Sequence, residues 1–180
     1  MFQSIFSRTL LLIALLFSSL TAWSAGNSQY TLGSGDVISI NVFGEEDLTF
    51  EQIRLNDAGI FSYPFLGEVR ANGRTAIEIE SIIIRGLKGD YLIDPKVSVS
   101  ILEYRDFFVN GEVKAPGGYP FKPGLTLRKA VALAGGLSER ASESKISIIR
   151  EEGANKRTFK ATMDTPVMPG DIITIDQSFF

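Results

Sequence analysis

The chain has 180 residues, with 18 Lys and Arg against 21 Asp and Glu, and it contains neither histidine nor cysteine. Without cysteine it can form no disulfide, thiolate metal site or acylated lipoprotein N-terminus; without histidine it lacks the usual general base near neutral pH, the Ser-His-Asp and Cys-His nucleophile systems and the commonest metal ligand. The net charge of −3 disfavours a general binder of nucleic acid or anionic membrane, since both rely on clustered positive charge.

Residues 1–24 read as a secretory signal peptide. Arg8 supplies the positive start, Leu10 to Phe17 an apolar run too short to span a bilayer as a mature helix, and Ala22-Trp23-Ser24 a small-x-small cleavage site. A retained membrane anchor is the competing reading of this stretch. Export leaves about 156 residues with a net charge of −4, because Arg8 is the only charged residue in the leader. That length suffices for one medium domain or two small ones.

A polar leader, Gly26 to Gln29, precedes the turn and strand signal Gly35-Asp36-Val37-Ile38-Ser39-Ile40. The pattern recurs near the end as Gly170-Asp171-Ile172-Ile173-Thr174-Ile175. Glycine tolerates positive φ, Asp can hydrogen-bond its own backbone, and β-branched alternation favours a strand, so each copy reads as a turn feeding a strand and the pair as two small β-rich modules. In the first copy Ile38, Ile40 and Val42 share one face. An acidic loop, Glu45-Glu46-Asp47, follows; Asp57-Ala58-Gly59 is a turn, and Ile60 to Phe65 and Leu66 to Val69 are two short strands.

Thr75-Ala76-Ile77-Glu78 has capping-box spacing ahead of Ile79, Ile82, Ile83 and Leu87, which predicts a helix over 76–88 ended by Gly86 or Gly89. Asp94-Pro95 turns into a strand carrying Val97, Val99 and Ile101, and Glu103 to Asp106 is the candidate boundary. Phe107 to Val113 then reads as a strand and Ala115 to Pro120 as a turn-rich connection. Thr126 is expected to cap a second helix that stops at Gly135-Gly136. A hairpin over Ile146 to Arg150 and Thr158 to Ala161, with a polar connection over Glu151 to Arg157, leads to the Pro169-Gly170-Asp171 turn and the final strand. The expected fold class is α+β, built of two small β-rich modules.

The ordered motifs carry a resemblance. Tyr30-x-x-Gly33-x-Gly35-Asp36-x-x-x-Ile40, Asp57-x-x-Gly59, Pro64-x-Leu66-Gly67-x-Val69, Gly73-x-Thr75-x-x-Glu78 and Asp94-Pro95-x-Val97 resemble the N-terminal domain of the Wza-type polysaccharide export family. Val109-x-Gly111-x-Val113-x-x-Pro116-Gly117, Tyr119, Thr126-Leu127, Ala132-x-Ala134-Gly135-Gly136 and Pro169-Gly170-Asp171 are similar to its soluble-ligand-binding β-grasp domain. The resemblance divides the chain into a signal peptide at 1–24, an export N-terminal domain at 30–104 and a β-grasp-like domain at 105–180.

It implies a non-catalytic, periplasmic role in moving capsular or extracellular polysaccharide across a Gram-negative envelope. The expected assembly is a homo-oligomer, with an inner-membrane chain-length or copolymerase protein and an outer-membrane β-barrel as partners and the polysaccharide as cargo. Long family members carry an acylated cysteine and a C-terminal amphipathic helix. Neither is present, and the sequence ends at Gln177-Ser178-Phe179-Phe180 right after the last predicted strand, so the expectation is a short periplasmic form joined to the outer membrane through partners. A free periplasmic saccharide-binding or adaptor module is the alternative.

No catalytic residue, metal site, nucleic acid or cofactor is expected. Gly33-Ser34-Gly35 lacks the lysine and spacing of a phosphate loop, and the pairs Glu45-Glu46 and Glu151-Glu152 sit in polar loops as solvated turn residues. A cluster of aromatic and basic residues is the candidate glycan contact: Tyr104, Arg105, Phe107, Phe108, Lys114, Tyr119, Phe121 and Lys122. Flat rings stack on the apolar faces of sugars and the cations suit an acidic glycan, while core packing is the competing use. Phe179 and Phe180 are candidates for docking on a neighbouring subunit or partner, or for folding back on the module.

Overall fold

Period-2 alternation and two capped apolar helices build the computed structural model, which describes residues 30–152 and 155–178. The predicted signal peptide and Phe179 and Phe180 lie outside the described residues. The first module forms a three-stranded antiparallel sheet in which β1 (Val37–Val42) lies between β2 (Phe50–Arg54) and β5 (Val97–Glu103). The strand β2 begins well before the point where the sequence reads as turn-forming, and the acidic loop before it contains a 3-10 turn, Glu46–Leu48. A two-stranded hairpin, β3 (Ile60–Tyr63) and β4 (Gly67–Arg70), precedes helix α1 (Ala76–Leu87).

Helix α1 starts at the expected capping box: Thr75 Oγ1 accepts the Glu78 N–H at 3.3 Å, and the Thr75 N–H donates to Glu78 Oε2 at 2.7 Å. Its apolar stripe buries Ile79, Ile83 and Leu87 against Ile38, Ile40, Phe61 and Val99. Fully burying one such side chain contributes roughly 1.5–3 kcal/mol. Glu80 Oε1 reaches across to accept the Val99 N–H at 2.8 Å, tying the helix to strand β5. Gly86 lies inside the helix, where an added Cβ would meet Leu66 at 2.5 Å, so its smallness admits the hairpin; the stop comes at Lys88 and Gly89.

The second module is a five-stranded mixed sheet in the order β7 (Gly117–Tyr119), β6 (Phe107–Gly111), β10 (Ile172–Gln177), β8 (Ala141–Glu152) and β9 (Asn155–Lys160). Strands β6 and β10 run parallel and the other pairs are antiparallel. The supposed turn-rich connection contains β7, whose Gly117 and Gly118 pair with Val109 and Phe108. The hairpin is also longer than its polar composition implied, since pairing continues to Glu152 and Asn155. There the backbone keeps its ladder through a charged stretch, and Lys156 pairs with Glu151 across it at 2.9 Å.

Helix α2 (Leu127–Leu133) buries Leu127, Ala130 and Val131 among Phe107, Val109, Ile146, Ile148 and Ile173. The Thr126 side chain does not cap it. Instead the loop after β9 supplies acceptors, Thr165 O for the Leu127 N–H at 2.9 Å and Met163 O for the Arg128 N–H at 2.8 Å. Tertiary carbonyls thereby satisfy the first-turn donors that a cap would take. The two apolar clusters give the α+β, two-module architecture that the sequence implies.

Candidate functional site

The repeated Gly-Asp turns are built alike. Gly35 and Gly170 adopt φ of +86° and +83°, and Asp36 and Asp171 follow as fully buried residues. Each carboxylate accepts the backbone N–H three residues earlier: Gly33 N donates to Asp36 Oδ2 at 2.8 Å, and Met168 N to Asp171 Oδ2 at 2.8 Å. Each then meets an arginine whose side chain is about a quarter exposed, Arg105 for Asp36 at 3.6 Å and Arg150 for Asp171 at 2.7 Å. Arg150 makes the stronger fork, with Nε on Asp171 Oδ1 at 2.8 Å and Nη2 on Asp171 Oδ2.

These turns hold the connection between the modules from both sides. The Arg105 N–H donates to Asp36 Oδ1 at 2.8 Å, while the next residue, Asp106, accepts the Gly170 N–H on its carbonyl at 3.1 Å. The Arg105 guanidinium lies over the Tyr30 ring at 5.7 Å. An added Cβ on Gly33 would fall 1.6 Å from Arg105 Nη1, so the side chain occupies space that only glycine leaves open. Tyr30 donates its hydroxyl to Asp36 Oδ2 at 2.6 Å. Burial and then this carboxylate contact push the Tyr30 phenol well above its ordinary value, keeping it a neutral donor.

Aromatic rings bridge the same joint. Tyr104 meets Tyr30 edge-on with centroids 5.0 Å apart, and Phe121 of the second module at 5.3 Å. Two concavities border the joint. A cleft of about 470 Å³ is lined by both modules, including Gly33, Asn72, Arg105, Phe108, Gly170 and Ile172. A shallower one, also about 470 Å³, lies between Glu103, Tyr104, Phe121 and Lys122.

The sequence-predicted cluster is therefore divided. Tyr104, Phe121 and Lys122 come together at the shallower concavity. Phe107 is fully buried and cannot meet a glycan, because alternation along β6 sends it into the core while Phe108 points the opposite way, 46% exposed. Tyr119 packs against Phe107 with centroids 5.9 Å apart and donates its hydroxyl to the Ala115 carbonyl. Lys114 is exposed in the loop after β6, its N–H on Gly136 O at 3.0 Å. Arg105 is committed to Asp36 and Tyr30 and acts as a clamp between modules.

Sequence reasoning missed Asp36, Asp171 and Arg150 as organising residues. Their signal was the duplicated Gly-Asp pair, which reads locally as turn chemistry and does not disclose burial. Among the described residues, no cluster of three or more metal-ligating side chains occurs, and no helix is long and apolar enough to cross a membrane.

Comparison with known sequences adds independent findings. Residues 24–102 match the sequence model described as polysaccharide biosynthesis/export protein, and residues 107–168 match that of the SLBB domain. The exopolysaccharide production protein ExoF of Rhizobium meliloti (strain 1021) is 36% identical over 146 residues, covering 74% of this chain and 34% of that protein. The EPS I polysaccharide export outer membrane protein EpsA of Ralstonia nicotianae is 26% identical over 181 residues, with 82% and 47% covered. EpsA of Ralstonia solanacearum is 26% identical over 170 residues, with 80% and 45% covered. The chain thus spans between a third and a half of the length of these relatives.

Proposed function

Because the chain belongs to the polysaccharide biosynthesis/export family, we propose that it is a non-catalytic component of a polysaccharide export apparatus, working in the periplasm of a Gram-negative envelope. Residues 30–104 and 105–180 act as its two working modules. It assembles with copies of itself, with an inner-membrane chain-length or copolymerase protein and with an outer-membrane β-barrel. The names of the relatives, which refer to exopolysaccharide production and export at the outer membrane, support the envelope setting.

The observation that carries this reading is the clamped joint. Arg105 is held by a buried carboxylate of the first module, and Asp106 by a turn of the second, so the modules are presented as one body. A conduit subunit needs a fixed angle between its parts, because small errors of angle accumulate around a ring.

Deletion of the coding region and its restoration from a plasmid test the proposal, with high-molecular-weight polysaccharide measured separately in medium, surface and periplasmic fractions. External polymer should disappear on deletion and return on complementation. Unchanged secretion in a strain without a redundant paralogue would overturn the export role and favour a free saccharide-binding module.

A further inference from the structure

We infer that the cleft between the two modules is a binding site for a neutral stretch of the exported saccharide chain. The inference rests on the export reading and names the class of sugar and the place that holds it. Loops of both modules meet in this cleft: the turn before β1, the Asp57 turn and the Asn72-Gly73 turn from the first, and the starts of β6 and β10 from the second. Backbone bonds stitch them, with Gly73 N–H on Leu32 O at 2.8 Å, Asn72 N–H on Gly59 O at 2.9 Å and Phe108 N–H on Asp171 O at 2.8 Å. Asn72 closes so tightly on Gly59 that an added Cβ there would fall 2.4 Å from the Asn72 Cβ. Both walls are tied to the joint at Asp36 and Asp106, so the cleft is formed before a ligand arrives and little ordering cost falls on binding. Its volume of about 470 Å³ suits a small ligand, for which sites run to about 300–1,000 Å³.

The lining has the two chemistries of a sugar ring. Phe108 and Ile172 are cross-strand neighbours on β6 and β10, neither is buried, and together they form an apolar platform for the ring's C–H face. The Phe108 ring is seated against Gly118, where an added Cβ would approach it to 3.0 Å. Asp57 and Asn72 from the first module and Asp106 from the connection add polar side chains to the same cleft. All three are exposed, and among the described residues none of their side chains bonds to another part of the chain.

Charge and hydrogen-bonding capacity select the occupant. Arg105, which also lines the cleft, is paired with Asp36 at 3.6 Å, and Glu151 is paired with Lys156 at 2.9 Å. The carboxylates of Asp57 and Asp106 remain uncompensated, so a uronic acid or other anionic sugar is repelled. A carboxylate only accepts hydrogen bonds, and the occupant must therefore be dense in donors. Sugar hydroxyls meet that demand, whereas an extended peptide offers one backbone donor per residue. Among the described residues no group of three or more metal-ligating side chains forms, so these carboxylates do not build a metal cage.

The test uses the full mature chain and NMR titration with maltohexaose, cellohexaose and mannohexaose, set against hexamers of galacturonic acid and of glucosamine. At least one neutral hexamer should move the resonances of Asp57, Asn72, Phe108 and Ile172, with a dissociation constant on the order of 1 mM, because a conduit must release its cargo. Its affinity should not change with salt. Phe108→Ala should weaken it about three- to tenfold, and Asp57→Ala and Asp106→Ala about tenfold each. Thermal melts establish which variants are folded, and the three lie on different segments, so one that fails to fold leaves two to read. No binding by any neutral hexamer, shifts confined to another surface, or unchanged affinity in the folded variants would overturn the site. Equal or tighter binding of the galacturonate or glucosamine hexamer would overturn the neutral class. In cells, normal export after gene deletion would sink the export reading itself. Blocked export on deletion, with normal export by the Phe108→Ala and Asp57→Ala double variant at wild-type abundance, would sink the cleft alone.

Discussion

Replacing Asp36 with Asn keeps the side chain's shape and removes its charge. Asp36 Oδ2 accepts from the Tyr30 hydroxyl at 2.6 Å and from Gly33 N at 2.8 Å, Oδ1 accepts from Arg105 N at 2.8 Å, and Arg105 Nη1 stands 3.6 Å away. Whichever way an amide is turned, its NH2 faces a donor. If the oxygen serves Tyr30 and Gly33, the Arg105 N–H is left facing another N–H, an unpaired buried donor worth about 1–3 kcal/mol. Arg105 also loses its countercharge, but at 24% side-chain exposure it recovers part of its hydration. Together these place the destabilisation at about 3 kcal/mol, the lower end for breaking a buried pair. With m about 2 kcal/mol/M, the urea midpoint should fall by about 1.5 M. Far-ultraviolet circular dichroism and tyrosine fluorescence at pH 7 would measure it, with exposed Asp57→Asn as a control expected within about 0.5 kcal/mol of wild type. If Asp36→Asn unfolds at the control's midpoint, the buried carboxylate does not organise the joint.

Gly33→Ala should displace the Arg105 guanidinium, since the new methyl has no room beside it, and limited proteolysis at residues 103–106 should accelerate while far-ultraviolet dichroism stays near wild type. Tyr30 titrates above its ordinary value of about 10 in the folded state, so its stabilising contribution is full below that pH and lost as pH rises through the raised value. Tyr30→Phe should therefore lose stability at pH 7 and show a flatter alkaline decline in urea titrations. Thr75→Ala should cost about 1 kcal/mol in the same assay by removing the helix cap. Glu78, held below the usual carboxylate range by the Thr75 N–H and hydroxyl, stabilises above the ordinary glutamate pKa. That contribution should fade as pH falls through the lowered value, and Glu78→Gln should remove the dependence.

Local periodicity and punctuation decide much of this molecule without reference to the rest of the chain. The capping box at Thr75 and Glu78, the apolar stripe of α1, the alternation of β1 and β5 and the two Gly-Asp turns depend on residues within one or two turns of each other, and all were legible. The ordered motifs likewise carried the family. Strand β7 was not legible, because Gly117 and Gly118 have no strand preference and are strands only through pairing with β6. Nor was the cap of α2, whose acceptors lie more than thirty residues downstream in sequence. The candidate glycan cluster failed as a unit for the same reason. Spacing brings Phe107 and Phe108 together in the chain, but a strand sends neighbours to opposite faces. The partnership of Arg105 with Asp36, 69 residues apart, and of Arg150 with Asp171 exists only once two turns are closed and two cores are packed, because a carboxylate becomes a strong partner where water has been removed from around it.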